Sequence, residues 1–190
     1  MRTMKQKTKS NALSAAVCAL ACALVIAGAF IKIPLAPIAI TLQLEFVLLS
    51  ALLIGAARAS AAVGAYILLG LCGVPVFTQG GGIAYVLKPS FGFIVGFLVA
   101  AAVTGALASR LSKRGLPGLY TACLAGTAVI YVCGVVYFYL ITKFYLNTYP
   151  GFMAMMSACV FTTLPIDIVL CIPIAWAAKR LTPAIRRYIG

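Results

Sequence analysis

Two side chains in this sequence are positioned to do chemistry that the others cannot: Glu45 and Asp167, the only acids among 190 residues, in a chain with no histidine. Each lies inside an apolar run. A carboxylate there costs about 2.5–3.5 kcal/mol on insertion scales, so it must face the protein interior or a wet cavity and meet a donor. Asp167 precedes Lys179 by twelve positions, which is about 18 Å along a helix and well inside a hydrocarbon core of about 30 Å. Pro165, just before it, predicts a kink beside the carboxylate. Glu45 sits nearer the end of its own run, close to Thr41 and Gln43. A two-residue step does not place helical side chains on one face, so if Gln43 points inward, Glu45 points elsewhere.

The segment from Phe77 to Phe93 adds a second set of candidates. It reads Phe77-Thr78-Gln79-Gly80-Gly81-Gly82 and then Tyr85, Lys88-Pro89-Ser90, Phe91 and Phe93. Glycines let a backbone approach a ligand closely. Tyr85, Phe91 and Phe93 are candidates to cover an apolar ring, and Gln79 to bond a polar end. Lys32, Lys88 and Lys143 stand one to a loop and give one face a modest positive field, suited to a small carboxylate. No nucleotide-binding P-loop, metalloprotease His-Glu-x-x-His or Gly-x-Ser-x-Gly sequence occurs. The seven cysteines are scattered and form no Cys-x-x-Cys pair, so neither a metal site nor a cofactor is expected and the chain does not read as an enzyme.

The elements that must hold these residues are membrane helices. The chain is 64% hydrophobic and 9% charged, with a mean hydropathy of +1.13. A soluble domain carries about 25% charged residues. Six runs meet or approach the length of a span, at about 11–31, 41–57, 59–74, 90–110, 117–143 and 152–179. They predict one all-α transmembrane domain over 1–190. The net charge of +13 is not arranged as a stripe for nucleic acid; it lies in clusters between spans. Twelve basic residues fall at the N-terminus, Arg58, the loop with Arg110, Lys113 and Arg114, and the C-terminus. Three fall on the other side, at Lys32, Lys88 and Lys143. The positive-inside rule then puts both termini in the cytoplasm. Ala15, Ala19 and Ala23 recur every four residues in the first run, a smooth stripe that lets another helix approach closely.

These residues resemble the BioY family. The resemblance is carried by Ala19-Leu20-Ala21-Cys22-Ala23-Leu24, by Gly28 to Leu35 with Ile40-Thr41-Leu42-Gln43, by Leu68 to Phe77 leading into the glycines, and by Pro165-Ile166-Asp167. It implies the six-helix bundle of an S component of an energy-coupling-factor (ECF) transporter, binding biotin from outside a bacterial cell. It also implies partners: a transmembrane coupling protein and two cytoplasmic ATPases. Ala19 and Ala23 match the Ala-x-x-x-Ala pattern that meets the coupling protein. By the same resemblance Asp167 accepts the ureido N–H groups, and Gln43 and Gln79 serve the ureido oxygen or the carboxylate.

The sequence departs from the family pattern at two places. Helix 6 usually reads Pro-Gly-Asp-x-x-Lys; here Ile166 and Leu170 replace the glycine and the lysine. Lys-Pro-Ser-Phe-Gly-Phe stands where Gly-Pro-[Ser/Thr]-Gly-Gly-Tyr is common. Lys88, and after it Lys32, become the candidates for the ligand carboxylate. A related vitamin such as lipoate, or a stand-alone carrier coupled to a proton on Asp167 or Glu45, is the alternative reading.

Overall fold

Apolar runs punctuated by glycine, proline and basic residues fold here into helices that cross the same slab. The computed structural model describes residues 2–33, 40–147 and 151–189. The linker prolines Pro34 and Pro37 lie outside the described residues. α1 (Arg2–Phe30) begins well before the expected residue 11, carrying its basic N-terminal residues on the same helix as the apolar span. Two-residue strands, β1 (Lys32–Ile33) and β2 (Ile40–Thr41), pair antiparallel with Lys32 opposite Thr41. They clasp the end of α1 to the start of α2.

α2 (Gln43–Ile54) is shorter than the run expected at 41–57, α3 (Ala56–Leu71) has the expected length but begins and ends three residues earlier, and the two are joined through Gly55. Twelve helical residues rise about 18 Å, too little to cross about 30 Å of hydrocarbon alone. α2 is sheltered instead: it packs against α1, α3, α4, α5 and α7, and Val47, Leu48 and Ala51 are fully buried. Gly28 allows this closeness, because a Cβ there would stand 2.7 Å from the Phe46 ring and 2.9 Å from the Gln43 Cα.

α4 (Phe91–Leu111) and α5 (Leu116–Leu140) form the most extensive helix pair. α5 continues into a π turn over Ile141–Tyr145. The last segment departs from the single helix expected over 152–179. α6 (Phe152–Met156) runs into a second π turn (Ser157–Phe161), and only after Thr162 and Thr163 does α7 begin (Leu164–Ile189). Pro165 is therefore the second residue of α7, where the helix needs no N–H from it. It starts the helix and does not kink it. Asp167 falls in that first turn, where the helix dipole favours a negative group.

Among the described residues, four helical stretches are long and apolar enough to span a membrane: Ala12–Phe30, Phe91–Arg114, Leu116–Tyr145 and Leu164–Ile185. Their outward faces are apolar, with Leu20, Val132, Val169 and Ile172 all more than half exposed. Such a surface suits lipid. Arg180 lies over the Trp176 ring at 5.5 Å, a cation–π contact on the outward face of α7.

Candidate functional site

A cavity opens at the end of the bundle away from the chain termini. It is bounded by the starts of α2, α4 and α7, the middle of α5 and the loop between α3 and α4. Ligand pockets commonly combine apolar walls with a few placed polar groups. That pattern holds here. Phe93, Ile94, Phe97 and Ile130 make an apolar wall; Gln43, Tyr131, Thr163 and Asp167 make a polar floor.

The floor is built from helices. Thr163 and Asp167 are four residues apart on one face at the start of α7, and the Asp167 N–H donates to the Thr163 carbonyl at 3.1 Å. Tyr131 reaches them from α5. Its hydroxyl donates to Asp167 Oδ2 at 2.5 Å and lies 2.7 Å from Thr163 Oγ1. A phenol has one proton, so the Thr163 hydroxyl is the donor in the second bond. The Phe93 ring meets Tyr131 edge-on at 6.2 Å and fixes its plane. Asp167 is only 5% exposed.

Gln43 is the other key floor residue. It is 3% exposed, lies beside the Tyr66 hydroxyl, and its amide nitrogen has no hydrogen-bond acceptor. A buried donor without a partner costs about 1–3 kcal/mol. The floor thus offers one unmet donor and one carboxylate with acceptor capacity left. That pair matches a ligand carrying a carbonyl and an N–H side by side.

The rim is built from the loop. Phe77 and Gly80 exchange backbone hydrogen bonds at 3.0 and 3.2 Å around a tight turn, and the Gly82 N–H donates to the end of α3 at the Gly70 carbonyl, 2.7 Å away. Gly80 and Gly82 adopt φ of 107° and 100°, open to glycine alone without strain. A 3₁₀ turn over Ile83–Leu87 then carries Tyr85 inward. Tyr66 meets Phe77 edge-on at 5.3 Å between centroids, and Phe77 meets Tyr85 at a tilt at 4.6 Å. The Tyr85 hydroxyl lies 3.1 Å from Thr78 Oγ1 and accepts from Ser90 Oγ at 3.4 Å. The Tyr137 hydroxyl donates to the Val86 carbonyl and ties the turn to α5.

Of the ligand-contact residues expected from the sequence, Thr41, Gln43, Tyr85, Phe93 and Asp167 come together around the cavity. Lys32, Gln79 and Lys88 do not line it. Lys32 Nζ donates to the Thr78 carbonyl at 3.4 Å, and Lys88 Nζ to the Gln79 carbonyl at 3.1 Å. Lys88 also lies 4.8 Å from the Tyr85 ring centroid. The two lysines brace adjacent carbonyls of the loop instead of projecting inward, and the Gln79 side chain is exposed. Phe91 packs on Tyr137, 5.9 Å between centroids, and is not part of the wall. Sequence reasoning missed Tyr131, Thr163, Thr78 and Ser90. The spacing of Thr163 to Asp167 was the available signal, since residues four apart share a helix face. Ala19 and Ala23 lie far from the cavity, on an exposed face of α1.

Fold and site together define a multi-pass membrane protein with a small-molecule pocket at one end of a helical bundle. The family model described as "BioY family" matches residues 3–187, and the chain belongs to that family. A "Probable biotin transporter BioY" of Lysinibacillus sphaericus is 36% identical over 178 residues, 94% of this chain and 91% of that protein. A "Biotin transporter BioY" of Thermotoga maritima is 40% identical over 60% of this chain and 66% of that protein. The crystal structure of the S-component for biotin from an ECF-type ABC transporter superposes with a TM-score of 0.77 at 26% identity. The match covers 93% of this chain and 92% of that one.

Proposed function

We propose that this chain is the biotin-binding S component of an ECF-type transporter and imports biotin without altering it. The observation that carries the reading is the floor: a buried carboxylate held by Tyr131, beside an amide donor with no partner. A ureido ring presents N–H groups flanking a carbonyl. Asp167 accepts from an N–H, Gln43 donates to the carbonyl, and the wall of Phe93, Phe97 and Ile130 takes the apolar remainder. Lipoate has no N–H to offer, so it would leave Asp167 buried with only the Tyr131 hydroxyl as donor. A site built to bond an N–H rejects an analogue that lacks it.

The carboxylate of the ligand then points toward the mouth. No lysine or arginine lines the cavity among the described residues. Lys88 and Lys32 are the nearby cations, and each can exchange a loop carbonyl for the ligand carboxylate. In this reading the termini are cytoplasmic and the mouth faces outward, as the distribution of basic residues requires. Energy comes from a membrane coupling protein and two ATPase subunits. The exposed alanines at 15, 19 and 23 form the smooth face on which the coupling protein packs.

Calorimetric titration of the purified protein with biotin, and separately with lipoate, tests the ligand. Submicromolar biotin binding with none of lipoate is expected. Tight lipoate binding without biotin binding would overturn the assignment. Replacing Ala19 or Ala23 with leucine should abolish uptake in cells holding the partners and leave biotin binding intact. Uptake that persists would make the stripe a lipid-facing surface.

A further inference from the structure

The only two acids of the sequence, on different helices, meet in the interior. Glu45 on α2 and Asp167 on α7 are 4% and 5% exposed, on helices packed directly against each other, and their charges lie close enough to act on one another. Among the described residues, neither oxygen of Glu45 has a hydrogen-bond partner. Glu45 does not line the cavity; it stands behind Asp167, which does.

The surroundings supply no compensating positive charge. Among the described residues, no lysine or arginine lines the cavity, and Lys32 and Lys88 are bonded to loop carbonyls at the rim. The titratable groups that face the pair are Tyr131 from α5, which already donates to Asp167, and Cys171 from α7. Cys171 is itself turned to Cys123 and Thr127 of α5. From α1, α3 and α4 no titratable side chain among the described residues acts on either carboxyl.

Two bare carboxylates close together, away from water and without a cation, repel each other. One proton between them replaces that repulsion with a short O–H···O⁻ hydrogen bond. The donor must be the member that the ligand does not touch. We infer that Glu45 is a positioning residue for the ligand: it carries a proton and donates it to Asp167, so that Asp167 meets the ligand as a hydrogen-bond acceptor. The inference rests on the proposed role of Asp167 toward a ligand N–H. It gives a second reason for α2 to enter the site, since Gln43 faces the cavity and Glu45 faces α7 behind it.

Ligand affinity should then depend on pH in two ways. A second proton on the pair turns Asp167 into a donor and weakens binding in acid. Loss of the shared proton sets two negative charges against each other and weakens binding in alkali. Glu45→Gln replaces the removable proton with a permanent amide N–H. It should bind biotin within about threefold of the native protein at neutral pH and lose the alkaline limb of the profile. Glu45→Leu removes the donor and should weaken binding by about tenfold or more. A purely space-filling Glu45 would tolerate leucine as well as glutamine and leave the profile unchanged, and that result would overturn the inference.

Infrared spectroscopy of the ligand-free protein reads the proton directly, because the sequence offers only two side-chain carriers for a protonated-carboxyl band. The band should be present in the native protein at neutral pH and absent in Glu45→Gln. Its absence from the native protein overturns the shared proton whatever ligand the pocket takes. A band that behaves as expected in a protein that binds no biotin would overturn the ligand assignment and leave the shared proton standing.

Discussion

The floor and the rim of the cavity handle their polar groups in opposite ways. The floor comes from α2, α5 and α7 and keeps capacity in reserve: Gln43 has an unmet amide nitrogen, and Asp167 has one hydroxyl donor where a carboxylate can accept several hydrogen bonds. The rim comes from one glycine-rich loop and bonds chiefly to itself. Lys32 and Lys88 hold neighbouring carbonyls, and Thr78, Ser90 and Tyr85 share their hydroxyls. Polar groups that already have partners gain little from a ligand, whereas those without partners gain the full bond. Affinity and selectivity should therefore be concentrated on the floor, and the rim should shape entry.

Asp167→Ala should break the comparison most sharply. Calorimetric titration should show biotin affinity falling by more than about 100-fold, roughly 3 kcal/mol, because a ligand N–H would be buried without an acceptor. Tyr131→Phe leaves the ring in place and removes the hydroxyl that orients Asp167; about tenfold weaker binding is expected by the same measurement. Gln43→Leu removes the donor proposed for the ureido oxygen but also an unmet polar group from the site. Affinity should fall by up to about tenfold, while thermal stability of the ligand-free protein holds or rises. Lys88→Ala should have the smallest equilibrium effect, about threefold, with a larger change in the rate of ligand release measured by stopped flow. A Lys88→Ala loss as large as that of Asp167→Ala would reverse the roles of rim and floor.

How far the sequence disclosed this arrangement depended on how unusual each residue is in its setting. The membrane class was legible because a surface with 9% charged residues cannot face water. Asp167 and Gln43 were legible because polar groups in an apolar run need a reason. Tyr131 was not, since a tyrosine in an apolar helix is ordinary until a neighbour is seen within reach of its hydroxyl. The lysines were read by sign alone, which could not foresee that loop carbonyls would claim them. Phe91 and Phe93 are two residues apart on a helix and so must diverge, and only one can face the cavity. The nearness of Glu45 to Asp167 arises from tertiary packing of α2 on α7. Spacing predicted that Glu45 would turn away from the face of Gln43, but not that it would turn toward α7.

None of the twelve residues of α2 is exposed. The helix that brings Gln43 and Glu45 to the site therefore offers a lipid chain little beyond the partly buried Phe46, Leu49 and Leu53. Matching bilayer thickness falls to its neighbours, chiefly α1, α4, α5 and α7. Recognition and membrane fit are thus assigned to different stretches of one chain. Substitutions in α2 can retune which small molecule is held without renegotiating how the protein sits in the bilayer. A scaffold divided in this way can diversify its cargo while keeping the same outer surface.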